Sequence, residues 1–214
     1  MPLAIILLFI YYLFRKEDDK MSKYDTAKTT WMNPDIEYLF GDEIIEYDMT
    51  DAGFNLIRQY KLLPEKDIQM LLSKEKGFER HREIGLMQRD NKVFSDALTS
   101  KFAEMRAIFI GVNNIKDDNI ISVKKDAIFT IGKCKRQKFG FVEFIPKNLY
   151  TSYIRFPSIQ NLEIYYSADG KMDIKGMGDS AVNRHRLYMM DFLKNVITMT
   201  EDADASYEAR VPER

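Results

Sequence analysis

Two short apolar stretches of this chain each place an acidic residue at or just past the end of a predicted strand, where a carboxylate could bind a metal ion. Residues 44–48, IIEYD, predict a strand that ends at Asp48 and leads into a helix. Residues 121–129, ISVKKDAIF, predict a hairpin with Asp126 at its tip. Carboxylates presented from neighbouring strand ends bind the divalent cations that activate phosphate chemistry. The pattern therefore predicts Asp48 and Asp126 as catalytic metal ligands for Mg²⁺ or Mn²⁺.

An ordinary structural role stays open for each acid. Asp favours helix N-caps, which is the alternative for Asp48, and β-turns, which is the alternative for Asp126. Glu46 or Asp51 could add a further metal ligand. If residues 50–60 are helical, Asp51 points in a different direction from Asp48, because three residues make nearly one helical turn.

Basic residues suited to phosphate lie in two places. One group lies on a helical pattern and consists of Arg80, Arg82, Arg89 and Lys92; Arg82 and Arg89 are two turns apart and share a face. A solvated helix face is the alternative. The second group is predicted to form a hairpin tip that either contacts a nucleic-acid backbone or protects an edge strand: Lys133, Lys135, Arg136 and Lys138. Lys175 precedes a predicted helix start, where an anion such as a nucleotide phosphate binds.

Composition and charge exclude several classes of protein. The chain has 214 residues, of which 45% are hydrophobic and 30% charged, as in a globular protein. Its single cysteine, Cys134, excludes an internal disulfide framework and indicates a reducing, cytoplasmic location. Residues 1–60 have a net charge of −5 and residues 101–150 a net charge of +5. Bringing these acidic and basic regions together would serve both metal and phosphate.

Residues 3–14, LAIILLFIYYLF, are almost entirely apolar. The run is shorter than the roughly 20 residues of a membrane span and lacks the basic start and cleavage site of a secretory signal. Residues 16–18 can be encoded by a purine-rich ribosome-binding sequence, with Met21 following at the spacing of a true start. We therefore expect residues 1–20 to be an untranslated leader, or else a short membrane anchor.

The rest of the chain predicts an α+β fold with an antiparallel sheet and a segregated helical block. Apolar residues recur at helical spacing through about 51–112, with a break at Asp90–Asn91. Strands are predicted at 43–47, 120–124, 127–132, 140–145, 150–156, 162–167 and 171–175. A glycine turn at Gly41 and a hairpin turn at Ala168–Gly170 separate strands. A last helix is expected at about 180–197, and residues 21–199 form one domain before a disordered acidic tail, 200–214.

Residues 44–57 and 121–131 resemble motifs A and C of the palm domain of template-directed nucleic-acid polymerases. The order of motifs is most similar to family B DNA polymerases, whose hairpin and Lys-Gly segment resemble residues 164–166 and 171–176. The resemblance covers about residues 40–195 and has the character of a phage or mobile-element protein. It implies that the two aspartates hold the metal ions and that the helical block stands for the fingers. The pattern departs from family B in having a lone acid at motif C, after Lys124 and Lys125.

These observations lead to two hypotheses of function. The first is a palm-like phage protein that binds nucleic acid, nucleotides and a divalent metal, and acts as a nucleotidyltransferase. The second is a non-catalytic phage or mobile-element protein that mediates protein contacts, at a membrane if residues 1–20 are translated. Asp48 and Asp126 must lie together for the first hypothesis to hold.

Overall fold

A computed structural model describes Tyr24, residues 28–156 and residues 162–176. These residues form an α+β fold, which confirms the predicted class. The chain divides into two compact units. Of the described residues, the first comprises Tyr24, 28–35 and 42–149, and the second comprises 36–41, 150–156 and 162–176.

The first unit contains an antiparallel sheet in which alternate residues face the helices. Its strands are β1 (Thr30–Met32), β2 (Tyr38–Met49), β3 (Ile120–Lys124) and β4 (Ala127–Ile131). They follow the order β1-β3-β4-β2 across the sheet. The short strand β5, Lys138–Phe139, pairs with the start of β6, Val142–Phe156. Ile45, Tyr47 and Met49 belong to the main hydrophobic core with the helices. Side chains two residues apart share a face, so Ile44, Glu46 and Asp48 lie on the opposite face.

Four helices lie between β2 and β3 in the described part of the first unit: α1 (Ala52–Tyr60), α2 (Glu65–Ser73), α3 (Phe78–Asp90) and α4 (Lys92–Val112). They confirm the predicted helical block and its break, where the Asn91 side chain accepts a hydrogen bond from the Phe94 amide. The long helix α4 supplies Phe109, which is fully buried. Its ring stacks on Phe144 at 4.3 Å and lies 5.2 Å from Tyr47. Helix and sheet thus share one aromatic core.

The second unit contains an antiparallel sheet. Its described strands are the last part of β6, β7 (Leu162–Tyr166) and β8 (Met172–Lys175), with the first residues of β2 on the far side of β6. The predicted turn at Ala168–Gly170 joins β7 to β8, and Gly170 has a positive φ of 83°. Tyr153 and Tyr165 both donate hydrogen bonds to the buried Glu163 carboxylate.

Two local predictions are wrong, and one strand was missed. Strand β2 continues through Gly41, because glycine adopts the φ of 79° found there without steric cost. The two strands predicted at 140–145 and 150–156 are one strand, β6, in which the exposed Pro146 needs no amide partner. Strand β1 was not predicted, because its three residues are too few to show a period.

Other predictions fall on residues that the structure does not describe. They are the leader or anchor at 1–20, the helix at about 180–197 and the tail at 200–214. Within the described residues, none of the helices combines the length and apolar character that crossing a membrane requires.

Candidate functional site

Strand β2 presents Asp48 on the face of the sheet that is turned away from the helices. Asp48 lies opposite Ala127 of β4 in the antiparallel register. The N-cap position of α1 is occupied by Asp51, so Asp48 is not a helix cap. The local reason for its placement is the alternation of β2, which sends the apolar Tyr47 and Met49 to the core and Asp48 to the other face.

The β3–β4 hairpin brings Asp126 to the same end of the sheet. Lys124 pairs with Ala127, so Lys125 and Asp126 form a two-residue connection, with Lys125 at a φ of 36°. The Met49 amide donates to the Asp126 carbonyl at 3.0 Å, which ties the residue after Asp48 to the hairpin tip. The structure therefore brings together the two acids that lie 78 positions apart in the sequence.

The two carboxylates interact electrostatically. Burial raises the pKa of Asp48, and the negative charge of Asp126 raises it further. The ammonium of Lys147 acts in the opposite direction without outweighing them. A carboxylate held half-buried beside a second negative charge is stabilised by any cation that enters between them.

Lys147 is a member of this site that the sequence analysis missed. Its Nζ donates to Asp48 Oδ2 at 3.2 Å. Burial alone would lower the pKa of Lys147, but the charges of Asp48, Glu46 and Asp126 raise it overall. The neighbouring Asn148 amide donates to Glu46 at 2.6 Å. The signal in the sequence was weak, because Lys147 and Asn148 lie in a stretch where a break between two strands was predicted.

Arg106 of α4 hydrogen-bonds to the tip of the β3–β4 hairpin, and the sequence analysis also missed this residue. Its side chain is completely buried. It donates hydrogen bonds to the Lys125 carbonyl, to the Lys28 carbonyl at 2.7 Å and to the Tyr24 hydroxyl at 3.1 Å. A buried arginine needs such partners, so an Arg among apolar helix positions was the available clue. Arg106 thus positions the backbone next to Asp126.

Asp51 does not join the acidic pair. Its carboxylate forms an ion pair with Arg80 at 2.5 Å and lies 3.6 Å from His81 Nε2. Arg80 also donates to the Leu71 and Lys74 carbonyls and lies over the Phe54 ring. Asp51 therefore anchors α1 to α3 and is not available as an additional metal ligand.

Of the four basic residues predicted on the helical block, Arg80 is buried in its ion pair with Asp51, and the other three lie on exposed surfaces. Arg89 pairs with Asp90 at 2.8 Å and Lys92 pairs with Asp96 at 3.0 Å, while Arg82 is exposed on α3. Arg89 borders a cleft of about 410 Å³ that also carries Asp67, Glu83 and Asp90. These carboxylates oppose the entry of a triphosphate.

The predicted basic hairpin tip is instead the connection from β4 to β5. The Asn113 side chain makes two hydrogen bonds to the backbone of Arg136, at 2.7 and 2.8 Å. The Cys134 amide donates to the Tyr47 hydroxyl at 2.7 Å. Lys133 pairs with Glu43 at 3.0 Å, whereas Lys135, Arg136 and Lys138 are exposed. Lys175 belongs to the second unit, where it pairs with Asp173 at 2.8 Å.

Comparison with known proteins identifies a family. Among solved structures, the chain is similar to the family B DNA polymerase from the hyperthermophilic archaeon Pyrobaculum calidifontis, at 12% identity and a TM-score of 0.31. The match covers 94% of this chain and 39% of the polymerase chain, and a TM-score this low does not establish a common fold. No curated protein matches the chain. The family model described as "Bacteriophage PBS1 gene 130 protein" matches residues 21–211. The expected phage character is thereby confirmed, and the chain belongs to the bacteriophage PBS1 gene 130 protein family.

Proposed function

We propose that this phage protein binds Mg²⁺ or Mn²⁺ between Asp48 and Asp126 and catalyses nucleotidyl transfer on nucleic acid. One observation supports the proposal above the others: two carboxylates from separate parts of the chain meet at one end of the sheet. Their backbones are linked through Met49, and the charge of Asp126 raises the pKa of Asp48. Repulsion of this kind is common where a cation or a reaction requires paired acids.

The donor set suits a hard divalent cation. Both ligands are carboxylate oxygens, which Mg²⁺ and Mn²⁺ prefer to imidazole or thiolate. Among the described residues there is no group of three or more His, Cys, Asp or Glu side chains arranged to hold a metal ion. Mg²⁺ is commonly bound through one or two carboxylates, with water and substrate phosphates completing its coordination. A two-acid site therefore fits a cation that arrives with a nucleotide.

Each residue of the site would have a separate role in the reaction. A bound divalent cation supplies stabilisation of the negative charge that develops on a phosphoryl group. Asp48 and Asp126 hold the cation, Lys147 neutralises Asp48 until the cation binds, and Arg106 holds the Asp126 hairpin in place. The candidates for contacts to the nucleic-acid backbone are Lys133, Lys135, Arg136 and Lys138. Arg82, Arg89, Lys92 and Lys175 are not assigned to nucleotide phosphates at this site, because Arg89 and Lys92 pair with neighbouring acids and Lys175 belongs to the second unit.

Binding of Mn²⁺ tests the metal site directly. Titration with Mn²⁺, followed by electron paramagnetic resonance of the free ion, is expected to show specific binding by the wild-type protein. Asp126→Asn is expected to weaken binding by about tenfold or more, since one of only two charged ligands is lost. Asp96→Asn, which removes an exposed acid of α4, is the matched control and should leave the affinity unchanged. A wild-type protein that binds no Mn²⁺ at millimolar concentration would contradict the proposal.

Replacement of Lys147 by Gln is expected to strengthen Mn²⁺ binding by about threefold to tenfold. The Lys147 ammonium lies 3.2 Å from Asp48, so it competes with an entering cation by charge repulsion and by occupying a ligand oxygen. Lys147→Arg keeps the charge and should remain close to wild type. Calorimetric titration of the three proteins measures the difference. A weaker affinity in Lys147→Gln would show that the lysine supports the metal site.

The alternative, a non-catalytic phage protein that mediates protein contacts, has one observation in its favour. The ion pair between Lys147 and Asp48 already neutralises one of the two acids without a metal. Under this alternative the acids and Lys147 form a structural charge cluster, and neither Mn²⁺ nor nucleotides would bind at concentrations of biological relevance.

A further inference from the structure

An exposed aromatic ring lies at the turn between β5 and β6. Phe139 and Val142 are paired across the hairpin and buried in the core, so Gly140 and Phe141 form its two-residue connection. Gly140 has a φ of 64°, and Phe141 remains 50% exposed. The buried pair fixes the base of this hairpin, while the Phe141 ring faces solvent.

Helix α1 holds this ring in a defined place. The Phe141 amide donates to the Gln59 side-chain oxygen at 2.7 Å, and the Arg58 guanidinium lies 4.4 Å from the ring centroid. A Cβ on Gly140 would lie 2.5 Å from the same Gln59 oxygen, so the hairpin approaches α1 as closely as glycine permits. An exposed ring that is fixed in advance loses little conformational entropy when it binds a partner.

Among the described residues, positively charged side chains that lack an acidic partner either contact the Phe141 ring or lie near Phe141 in the sequence. Within the part of the chain that the structure describes, no carboxylate lies within ion-pair distance of Arg58, Lys135, Arg136 or Lys138. Lys133 of the same loop, in contrast, pairs with Glu43. The nearest acid in register is Glu143, which lies opposite Lys138. The backbone of the loop is anchored by hydrogen bonds to the side chains of Asn113, which directly follows α4, and of Tyr47 in β2.

We propose that Arg58, Lys135, Arg136, Lys138 and Phe141 form a binding surface for single-stranded nucleic acid. The three loop cations contact phosphates, and one base stacks on the face of Phe141 opposite the one that Arg58 covers. A single strand is favoured because its bases expose the flat faces that a duplex hides by stacking. An acidic peptide would use the cations but would leave the aromatic ring without a partner. The inference deepens the nucleic-acid part of the proposed function and does not depend on the metal site.

The experiment is fluorescence anisotropy of a labelled 12-nucleotide oligothymidylate, measured in EDTA at several salt concentrations. Phe141→Ala is expected to weaken binding by about tenfold, which is the usual effect of losing one base stack, and Phe141→Tyr should restore it. Removing Lys135 and Lys138 together should lower the slope of log affinity against log salt by roughly 0.7 for each phosphate that is no longer neutralised. Glu143→Gln, which removes the nearest acid, should strengthen binding. A duplex of mixed sequence should bind more weakly than the single strand.

Several results would overturn the inference. The first is the absence of oligonucleotide binding by the wild-type protein at 50 mM salt, and the second is equal affinity of wild type and Phe141→Ala. The third is displacement of the labelled strand by polyglutamate as efficiently as by unlabelled oligonucleotide, which would indicate an acidic protein partner. The Asp126→Asn protein separates this inference from the metal proposal. It should bind the oligonucleotide normally while losing Mn²⁺, so either proposal can fail without the other.

Discussion

Asp126→Asn and Asp48→Asn are each expected to reduce metal-dependent nucleotide incorporation by about 100-fold or more. A divalent cation contributes several kcal/mol of transition-state stabilisation, and each 1.4 kcal/mol corresponds to a factor of ten in rate. The measurement is extension of a labelled primer on a template, with Mg²⁺ and with Mn²⁺. Asp96→Asn, an exposed acid on α4, serves as the control and should retain wild-type activity.

The Asp48→Asn protein should not lose activity through unfolding. Burial and then the charge of Asp126 raise the pKa of Asp48, so its ionised form is less favourable in the folded than in the unfolded protein. Asp48 therefore favours folding at low pH and opposes it progressively as the pH rises through the raised pKa. Asn removes this penalty, and we expect a melting temperature at pH 8 at least equal to that of wild type, with the advantage shrinking toward pH 4. A marked loss of stability at pH 8 would contradict this electrostatic description.

Two activity results would contradict the catalytic proposal. Wild-type protein that binds Mn²⁺ but incorporates no nucleotide would favour a non-catalytic role. Activity that survives both aspartate substitutions would mean that the reaction uses another site.

Arg106→Met is expected to lower the free energy of unfolding by about 3–5 kcal/mol, because each buried oxygen left without its donor costs about 1–3 kcal/mol. The guanidinium is fully buried and serves the carbonyls of Lys28 and Lys125 and the hydroxyl of Tyr24. Methionine fills much of the space but leaves these buried oxygens without their donor. Urea denaturation monitored by circular dichroism measures the loss.

Arg82→Met is the matched control for Arg106, because it makes the same chemical change at an exposed position of α3. It should alter stability by less than about 0.5 kcal/mol. Arg106→Lys keeps the charge but cannot reach three oxygens with a planar fork, so we expect an intermediate loss of stability. If Arg106→Met were as stable as Arg82→Met, the buried hydrogen bonds would not be what holds the hairpin tip to α4.

Local patterns in the sequence were sufficient for several elements of the fold. The apolar spacing of α4 identifies a helix, since residues such as Leu98, Phe102, Met105 and Phe109 recur every three or four positions. The hairpin at Lys125–Asp126 follows from two apolar runs joined by polar residues. The gap predicted between residues 145 and 150 illustrates the limit of such rules. Strand β6 in fact continues through Pro146, because the site is exposed and needs no amide donor there.

Neighbouring residues are enough to predict the two strand segments that carry Asp48 and Asp126, because alternation and turn formation are local properties. The other side chains that meet these acids come from distant parts of the chain and could not be predicted in this way. Lys147 lies 99 positions from Asp48, and Arg106 lies 82 positions from Tyr24. Such contacts depend on strand register and on how α4 packs beneath the hairpin. A one-residue change of register would send Asp48 to the opposite face of the sheet, and no local pattern reports that choice.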